Sequence, residues 1–302
     1  MPKGIPKAGF RRRRGKSDMS ILPNRAVHIQ RMVPVENDIV PVRHESDELI
    51  AIRLANRFEI MDAMIRDATN GTARAVIVSG PPGLGKSYTI EHHLQKWNPA
   101  NDKFLITRGY VRPTGLFKLL YQYRSPGQVI VFDDADSIFS DDTSLNFLKA
   151  VCDTTKKRIV SYLAETVLID EDSATRIPRQ FEFEGTIIFI TNYDFDALIS
   201  RGHKLTPHLE ALMSRSHYID LALKNRRDYF VRIKTVFTEK MLAESEFRSV
   251  DRDVLLDFIE DNLAELREVS LRMAIKIAAL CQNHPITWKR IAKITCCKEF
   301  TA

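Results

Sequence analysis

The sequence lacks any apolar run approaching the roughly 18 to 20 residues that a membrane-spanning helix needs. No apolar segment follows its basic N-terminus, so we expect the protein to stay in the compartment where it is made. The four cysteines include an adjacent pair and have no C-x-x-C spacing, which fits neither a zinc site nor a disulfide framework. The eight histidines show no metal-ligand spacing either. We therefore expect reduced thiols in a cytoplasmic protein.

Acidic residues are absent from the first 17 positions, which carry seven lysines and arginines. Because the whole chain has a net charge of +6, the remainder is close to neutral, at −1. Residues 1–45 contain many prolines and glycines and little periodicity, which predicts an extended or disordered arm. The RRRRGK run in this arm fits nucleic-acid phosphates, an acidic protein groove or solubility alone, and the pattern does not discriminate among them.

The stretch from Val76 to Thr89, VIVSGPPGLGKSYT, reads as an apolar strand, a loop of glycine and proline, and a helix start. Its GPPGLGKS segment fits the phosphate-binding pattern GxxxxGK[ST]. Such a loop surrounds a polyphosphate with backbone N–H groups and places a helix N-terminus against it. We expect Lys86 to reach the β- and γ-phosphates of ATP and Ser87 to bind Mg²⁺. The predicted nucleotide contacts are Gly80, Pro81, Pro82, Gly83, Leu84, Gly85, Lys86, Ser87 and Tyr88.

Apolar positions between Ser46 and Ala68 recur at helical spacing, and Asn70-Gly71 ends that helix. Strand-like runs and helical patterns then alternate, which predicts a parallel sheet covered on both faces. Besides the P-loop strand, the predicted strands are 103–107, 129–132, 186–190 and 216–221, and the helices between them are 87–97, 114–123, 144–154 and 205–214. After Lys224 the pattern is helical, with about four helices.

The segment Val129 to Asp134, VIVFDD, indicates two carboxylates at the end of a buried strand. Ligands bind at that edge of a parallel sheet. We expect Asp133 to bind Mg²⁺ and Asp134 to orient and deprotonate the attacking water, with Asp136 as a second candidate for this base. The structural alternative is that these acids only end a strand, and it is weakened by the P-loop about 50 residues upstream.

From about Ser46 to Cys297 the chain resembles the AAA+ ATPases. GPPGLGKS and VIVFDD occur in many P-loop proteins, whereas IIFITN, LEALMSRSHYIDL and EVSLRMAIK are more specific to this resemblance. It implies that Asn192 is the sensor 1 residue, which reaches the γ-phosphate and the attacking water. It also implies that Arg272 is the sensor 2 residue of a helical lid. Arg215 is similar to the family's arginine finger, with Arg201 as the alternative.

The resemblance implies an α/β fold with a five-stranded parallel sheet, flanking helices and a β-hairpin insertion, followed by an all-α lid. The three predicted regions are the arm, residues 1–45, the α/β domain, residues 46–223, and the lid, residues 224–302. Because the family's arginine finger acts on the ATP of a neighbouring subunit, we expect a ring or spiral, specifically a hexamer. One departure is the Asp133-Asp134 pair, where the family usually has Asp-Glu. It affects the rate and the choice of base rather than nucleotide binding.

The segments RIVSYLA at 158–164 and IPRQFEF at 177–183 alternate apolar and polar residues, which predicts a β-hairpin. In some AAA+ groups a similar hairpin points into the pore of the ring toward DNA or a partner. The alternative is a hairpin at the edge of the sheet that only covers the core. The acids of its polar tip, at 170–172, argue against a simple phosphate clamp.

The short chain with its IPRQFEFEGTIIFITN stretch is similar to AAA+ ATPases of phages and plasmids, which implies host cytoplasm if it is phage-encoded. We expect ATP hydrolysis that acts on DNA or on a replication or recombination complex, with a phage protein as partner. A protein remodeller and a nucleotide-gated structural switch are the two alternatives. DNA-stimulated ATPase activity would favour action on DNA. Stimulation by a protein alone would favour the protein remodeller, and assembly without hydrolysis would favour the structural switch.

Overall fold

The computed structural model describes residues 45–164, 167–170, 174–221, 223–238, 241–242, 247 and 249–298. The predicted arm lies outside these ranges except for its last residue, Glu45. The sheet and hairpin elements of the α/β part are β1 (Ala75–Ser79), β2 (Phe104–Arg108), β3 (Val129–Asp133), β4 (Ile159–Ser161), β5 (Gln180–Glu182), β6 (Thr186–Thr191) and β7 (His217–Asp220). Its helices are α1 (Asp47–Thr69), α2 (Lys86–Trp97), α3 (Pro113–Gln122), α4 (Asp142–Val151), α5 (Phe195–Ser200) and α6 (Thr206–Met213).

Helix α1 begins where the Ser46 hydroxyl accepts a hydrogen bond from the Leu49 N–H. Two acids in its first turn complement the helix dipole. It ends at the predicted Asn70-Gly71 stop, where Gly71 has φ +77°, a conformation that costs a side-chain-bearing residue more than glycine. One stripe of α1 is buried against the sheet, and this stripe explains the helical spacing of its apolar residues.

The main sheet has the order β2-β3-β6-β1-β7, and every neighbouring pair is parallel. Alternate residues of its strands pack on opposite faces, one covered by α1 and α2 and the other by α3 to α6. In register, Ser79 of β1 lies beside Thr191 of β6 and Asp220 of β7. The loops that follow these strands therefore meet at one edge, and the predicted five-stranded parallel sheet is confirmed.

The predicted hairpin is present as the antiparallel pair β4 and β5, which forms a sheet separate from the main one. Its inner residues Val160 and Phe181 are buried, and the Phe181 ring lies 5.0 Å from that of Phe117 in α3. Asp170 is also buried and accepts a hydrogen bond from the Gln122 amide at 2.8 Å. The inner face thus covers the core, while Glu171 and Asp172 of the tip lie outside the described residues.

Helices after β7 are α7 (Arg226–Val236), α8 (Arg252–Asp261), α9 (Leu271–Asn283) and α10 (Trp288–Cys296), and they build a hydrophobic cluster of their own. We refer to these four helices as the lid. Helix α9 begins at Ser270, which is buried and whose hydroxyl accepts a hydrogen bond from the Met273 N–H. No helix within the described ranges combines the length and apolar content that crossing a membrane requires.

Candidate functional site

The P-loop joins β1 to α2 at the shared edge of the sheet, with Gly83 and Gly85 at φ +79° and +90°. Gly85 is the residue before α2, so the loop turns directly into the helix N-terminus. Among the described residues, the backbone N–H groups of residues 83 to 87 have no hydrogen-bond acceptor. A row of free N–H groups at a helix N-terminus is an anion site, and it fits the polyphosphate predicted for this loop.

The Lys86 side chain is buried, with 5% of its surface exposed. Its Nζ donates to the Gly80 carbonyl, to the Pro81 carbonyl at 3.0 Å and to Asn192 Oδ1 at 3.0 Å. Burial lowers the pKa of Lys86 to about 8. The cation is therefore held beneath the loop in contact with the residue predicted as sensor 1.

The Ser87 hydroxyl donates to Asp133 Oδ1 at 2.7 Å, which joins the two residues predicted to bind Mg²⁺. A hydroxyl and a carboxylate are oxygen ligands that suit Mg²⁺, which usually takes few ligands from the protein and the rest from water and phosphate. Groups of three or more His, Cys, Asp or Glu side chains that could hold a metal are absent from the described residues. The site therefore fits a metal bound together with a nucleotide rather than a cage built by protein alone.

Arg108, which was not predicted as a site residue, donates a hydrogen bond to the other carboxylate oxygen of Asp133. Its Nε donates to Asp133 Oδ2 at 2.9 Å and its Nη2 to Glu91 of α2 at 2.6 Å. Register explains this contact, because Arg108 and Asp133 are paired residues at the ends of β2 and β3. The only sequence signal was an arginine at the end of a strand adjacent to the acidic one.

Asp134 and Asn192, predicted as base and sensor, are directly bonded: Asn192 Nδ2 donates to Asp134 Oδ1 at 2.8 Å. Asp134 has φ +53°, a conformation few residues other than glycine, asparagine and aspartate adopt. The alternative base, Asp136, accepts from the Thr191 hydroxyl at 2.7 Å, and burial raises its pKa to about 6. Asp134 is therefore the exposed carboxylate of the two, and it lies beside the Lys86 site.

The lid contacts the P-loop through the start of α9. The Leu271 N–H donates to the Gly83 carbonyl at 2.9 Å, and a Cβ on Gly83 would lie only 2.6 Å from the Cβ of Ser270. Arg272, the predicted sensor 2, follows at once, and its positive charge acts on Lys86 by lowering the pKa of that lysine. The structure thus brings the EVSLRMAIK segment to the nucleotide site.

Arg215 is not part of this cluster. It precedes β7 and therefore lies at the amino ends of the strands, whereas the P-loop lies at their carboxyl ends. Its Nη1 donates to the Ala211 carbonyl at 2.7 Å. The alternative finger, Arg201, is exposed in the turn after α5.

Of the remaining predicted nucleotide contacts, Leu84 packs into the core and Tyr88 is 74% exposed, stacked on His92. The Pro81 carbonyl accepts from the Lys86 ammonium, and Pro82 follows Pro81 in the loop.

The strand order with β1 between β6 and β7, the P-loop after β1 and a helical lid against that loop form the α/β P-loop fold expected from the resemblance to AAA+ proteins. Among solved structures, NtrX from Brucella abortus in complex with ATP overlaps 84% of this chain, with 13% identity and a TM-score of 0.46. The Thermotoga maritima RuvB Holliday junction branch migration motor overlaps 79% of it, with 14% identity and a TM-score of 0.41. The chain spans 54% of the NtrX chain and 62% of the RuvB chain.

No family model matches the sequence. Over 253 residues it is 36% identical to an uncharacterised 36.7 kDa protein from the nrdC-mobD intergenic region of Enterobacteria phage T4, a match that covers 82% of this chain and 76% of the phage protein. The chain belongs to the family of this phage T4 protein.

Proposed function

We propose that the chain binds ATP with Mg²⁺ at the P-loop and hydrolyses it. The observation that carries this proposal is the convergence of Lys86, Asp133 and Asn192 on one edge of the sheet, each within hydrogen-bond distance of a second predicted site residue. Free N–H groups of the loop cradle the phosphates, and Lys86 neutralises charge on their terminal oxygens. A Mg²⁺ ion held at Ser87 and Asp133 would supply further neutralisation of phosphate charge.

In this proposal Asp134 orients and deprotonates the attacking water. Asn192 fixes the position of the Asp134 carboxylate by donating a hydrogen bond to it. Ser87 and Asp133 Oδ1 would hold the metal, while Arg108 fixes the orientation of the Asp133 carboxylate through Oδ2. Arg272 approaches the phosphates from the lid. The start of α9 is hydrogen-bonded to the loop, so the lid is joined directly to the phosphate-binding segment.

We assign Arg215 to the site of a neighbouring subunit, because its place at the far edge of the sheet keeps it from the P-loop of its own chain. This assignment makes the active protein a homo-oligomer. Mixing Lys86→Ala with Arg215→Ala subunits is expected to restore part of the ATPase activity that each variant lacks alone. If mixtures in every ratio stay inactive while both variants still assemble, the arginine acts elsewhere, and Arg201→Ala is the next variant to mix.

The work driven by hydrolysis is proposed to be on DNA or on a DNA-bound phage complex. The support is the family membership with a phage protein and the basic arm of residues 1–17. Phosphate release from ATP, measured with no addition, with single-stranded DNA and with duplex DNA, tests it. Stimulation of several-fold by DNA is expected. Equal rates in all three conditions would contradict the DNA substrate without contradicting hydrolysis.

A second candidate, remodelling of a protein partner, is supported by the outer surface of the hairpin. Leu163, Val167 and Ile169 are each more than half exposed there, whereas the inner face of the same hairpin is buried. Alanine at these three positions would then abolish stimulation by a co-purifying protein and leave stimulation by DNA unchanged.

A further inference from the structure

The lid has an acidic part and a basic part, which the net charge of the whole chain does not show. Residues 251–268, which include α8, carry seven acids and two bases. Residues 269–298, which form the hairpin of α9 and α10, carry six lysines and arginines and no acid. The α9–α10 hairpin is therefore a second acid-free basic segment besides the N-terminal arm.

The cations of α10 lie on its solvent side. Trp288, Ala292 and Cys296 form the buried stripe of this helix, while Lys289, Arg290 and Lys293 between them are exposed. We call these three residues the α10 basic face. Lys276 of α9 and Lys298 after α10 are exposed as well, and Ile286 in the connecting turn is 96% exposed.

Within the described residues, these clustered cations differ from the ion-paired arginines of the molecule in having no acidic partner. Arg53, Arg108 and Arg227 each meet two carboxylates at 3.1 Å or less. In the part of the chain that the structure describes, no carboxylate pairs with the α10 basic face. Unpaired cations on one face attract a polyanion, because each contact releases a condensed counterion without first breaking an internal ion pair.

The spacing of the α10 basic face also suits a nucleic-acid backbone. Lys289 and Lys293 are one helical turn apart, about 6 Å along the axis. Successive phosphates of one strand are separated by about 3.4 Å along the duplex axis, so the two lysines span about two phosphates. Helix α9, which packs against α10, is anchored to the P-loop through Leu271, so a contact on this hairpin is connected to the nucleotide site.

We infer that the α10 basic face is a contact surface for the phosphate backbone of nucleic acid. This inference rests on the proposed action on DNA and gives it a location on the lid. Exposed phosphates of any sequence fit the surface, because lysines and arginines bind a backbone without reading bases.

The test is the salt dependence of binding by the full-length chain to a fluorescent single-stranded 20-mer and to the duplex of the same sequence. In the variant Lys289→Ala, Arg290→Ala, Lys293→Ala, the slope of log K against log salt is expected to fall by about 2 for the single strand and by about 2 to 3 for the duplex. Affinity near physiological salt is expected to fall on the order of tenfold or more. The control variant Lys96→Ala, Lys156→Ala, Lys204→Ala removes the same charge from scattered exposed sites and should keep the wild-type slope.

The conservative variant Lys289→Arg, Lys293→Arg should also keep the slope, which separates loss of charge from damage to the helix. An unchanged slope in the alanine triple variant overturns the inference while leaving DNA binding elsewhere intact. Loss of self-association without loss of DNA binding overturns it too, and assigns the face to the acidic α8 of a second copy. If the wild-type chain binds neither DNA at low salt, the proposed action on DNA fails together with this inference.

Discussion

The Asp134→Asn variant is expected to bind ATP with wild-type affinity and to hydrolyse it about 100-fold to 10,000-fold more slowly, the range lost with a general base. Asparagine keeps the shape of the side chain and tolerates the φ of +53° found at this position, so the backbone should not move. It also keeps an oxygen that accepts the hydrogen bond from Asn192. The substitution removes the ability to take a proton and the negative charge that raises the pKa of Lys86.

Binding of a fluorescent ATP analogue and release of phosphate, measured on the same preparation, test this prediction. Asp136→Asn is the matched control, because its side chain is tied to the Thr191 hydroxyl and lies deeper beneath the site. We expect this control to keep most of the turnover. If turnover survives in Asp134→Asn and is lost in Asp136→Asn, the base is Asp136.

The Gly83→Ala variant is expected to lose ATP affinity by at least tenfold and to loosen the lid. Its new methyl group would lie 2.6 Å from the Cβ of Ser270, a buried residue at the start of α9 that has no room to retreat. Relief of this contact requires α9 to move off the loop and break the Leu271 hydrogen bond to Gly83. The φ of +79° at Gly83 adds about 1 kcal/mol of strain for any residue with a Cβ.

Gly71→Ala separates strain from collision. Gly71 has nearly the same φ, +77°, but no atom lies within 4 Å of the position its Cβ would take. Urea unfolding should show a loss of about 1 kcal/mol for Gly71→Ala and a larger loss for Gly83→Ala, and only Gly83→Ala should weaken ATP binding. Equal effects of the two substitutions on stability and on binding would show that the lid does not rest on the loop.

The sequence predicted those parts of the site that are local or that end a strand. The P-loop could be predicted because strand, loop and helix follow one another within Val76 to Thr89. Asp133 and Asn192 could be predicted as neighbours at the site because each follows an apolar run, and each run forms a central strand of the sheet. The same logic predicted the parallel sheet, and the hairpin followed from its alternating pattern.

Contacts that depend on register or on packing between distant segments were not predicted. Arg108 reaches Asp133 only because β2 and β3 pair in one particular register. The close approach of Gly83 to Ser270 brings together residues nearly 190 positions apart in the sequence. The short helix α5 and the 3₁₀ turn at Asp136–Phe139 were missed because elements of six and four residues carry too little periodicity.

The central claim, that this site hydrolyses ATP, is tested most directly by phosphate release from ATP by the purified full-length chain with Mg²⁺, compared with Lys86→Ala under the same conditions. Loss of Lys86 removes the buried cation that contacts Gly80, Pro81 and Asn192. The expected result is release by the wild-type chain that chelation of Mg²⁺ stops and that falls by at least about 100-fold in the variant. Equal release by both chains, or none from the wild type even with DNA present, would contradict the claim.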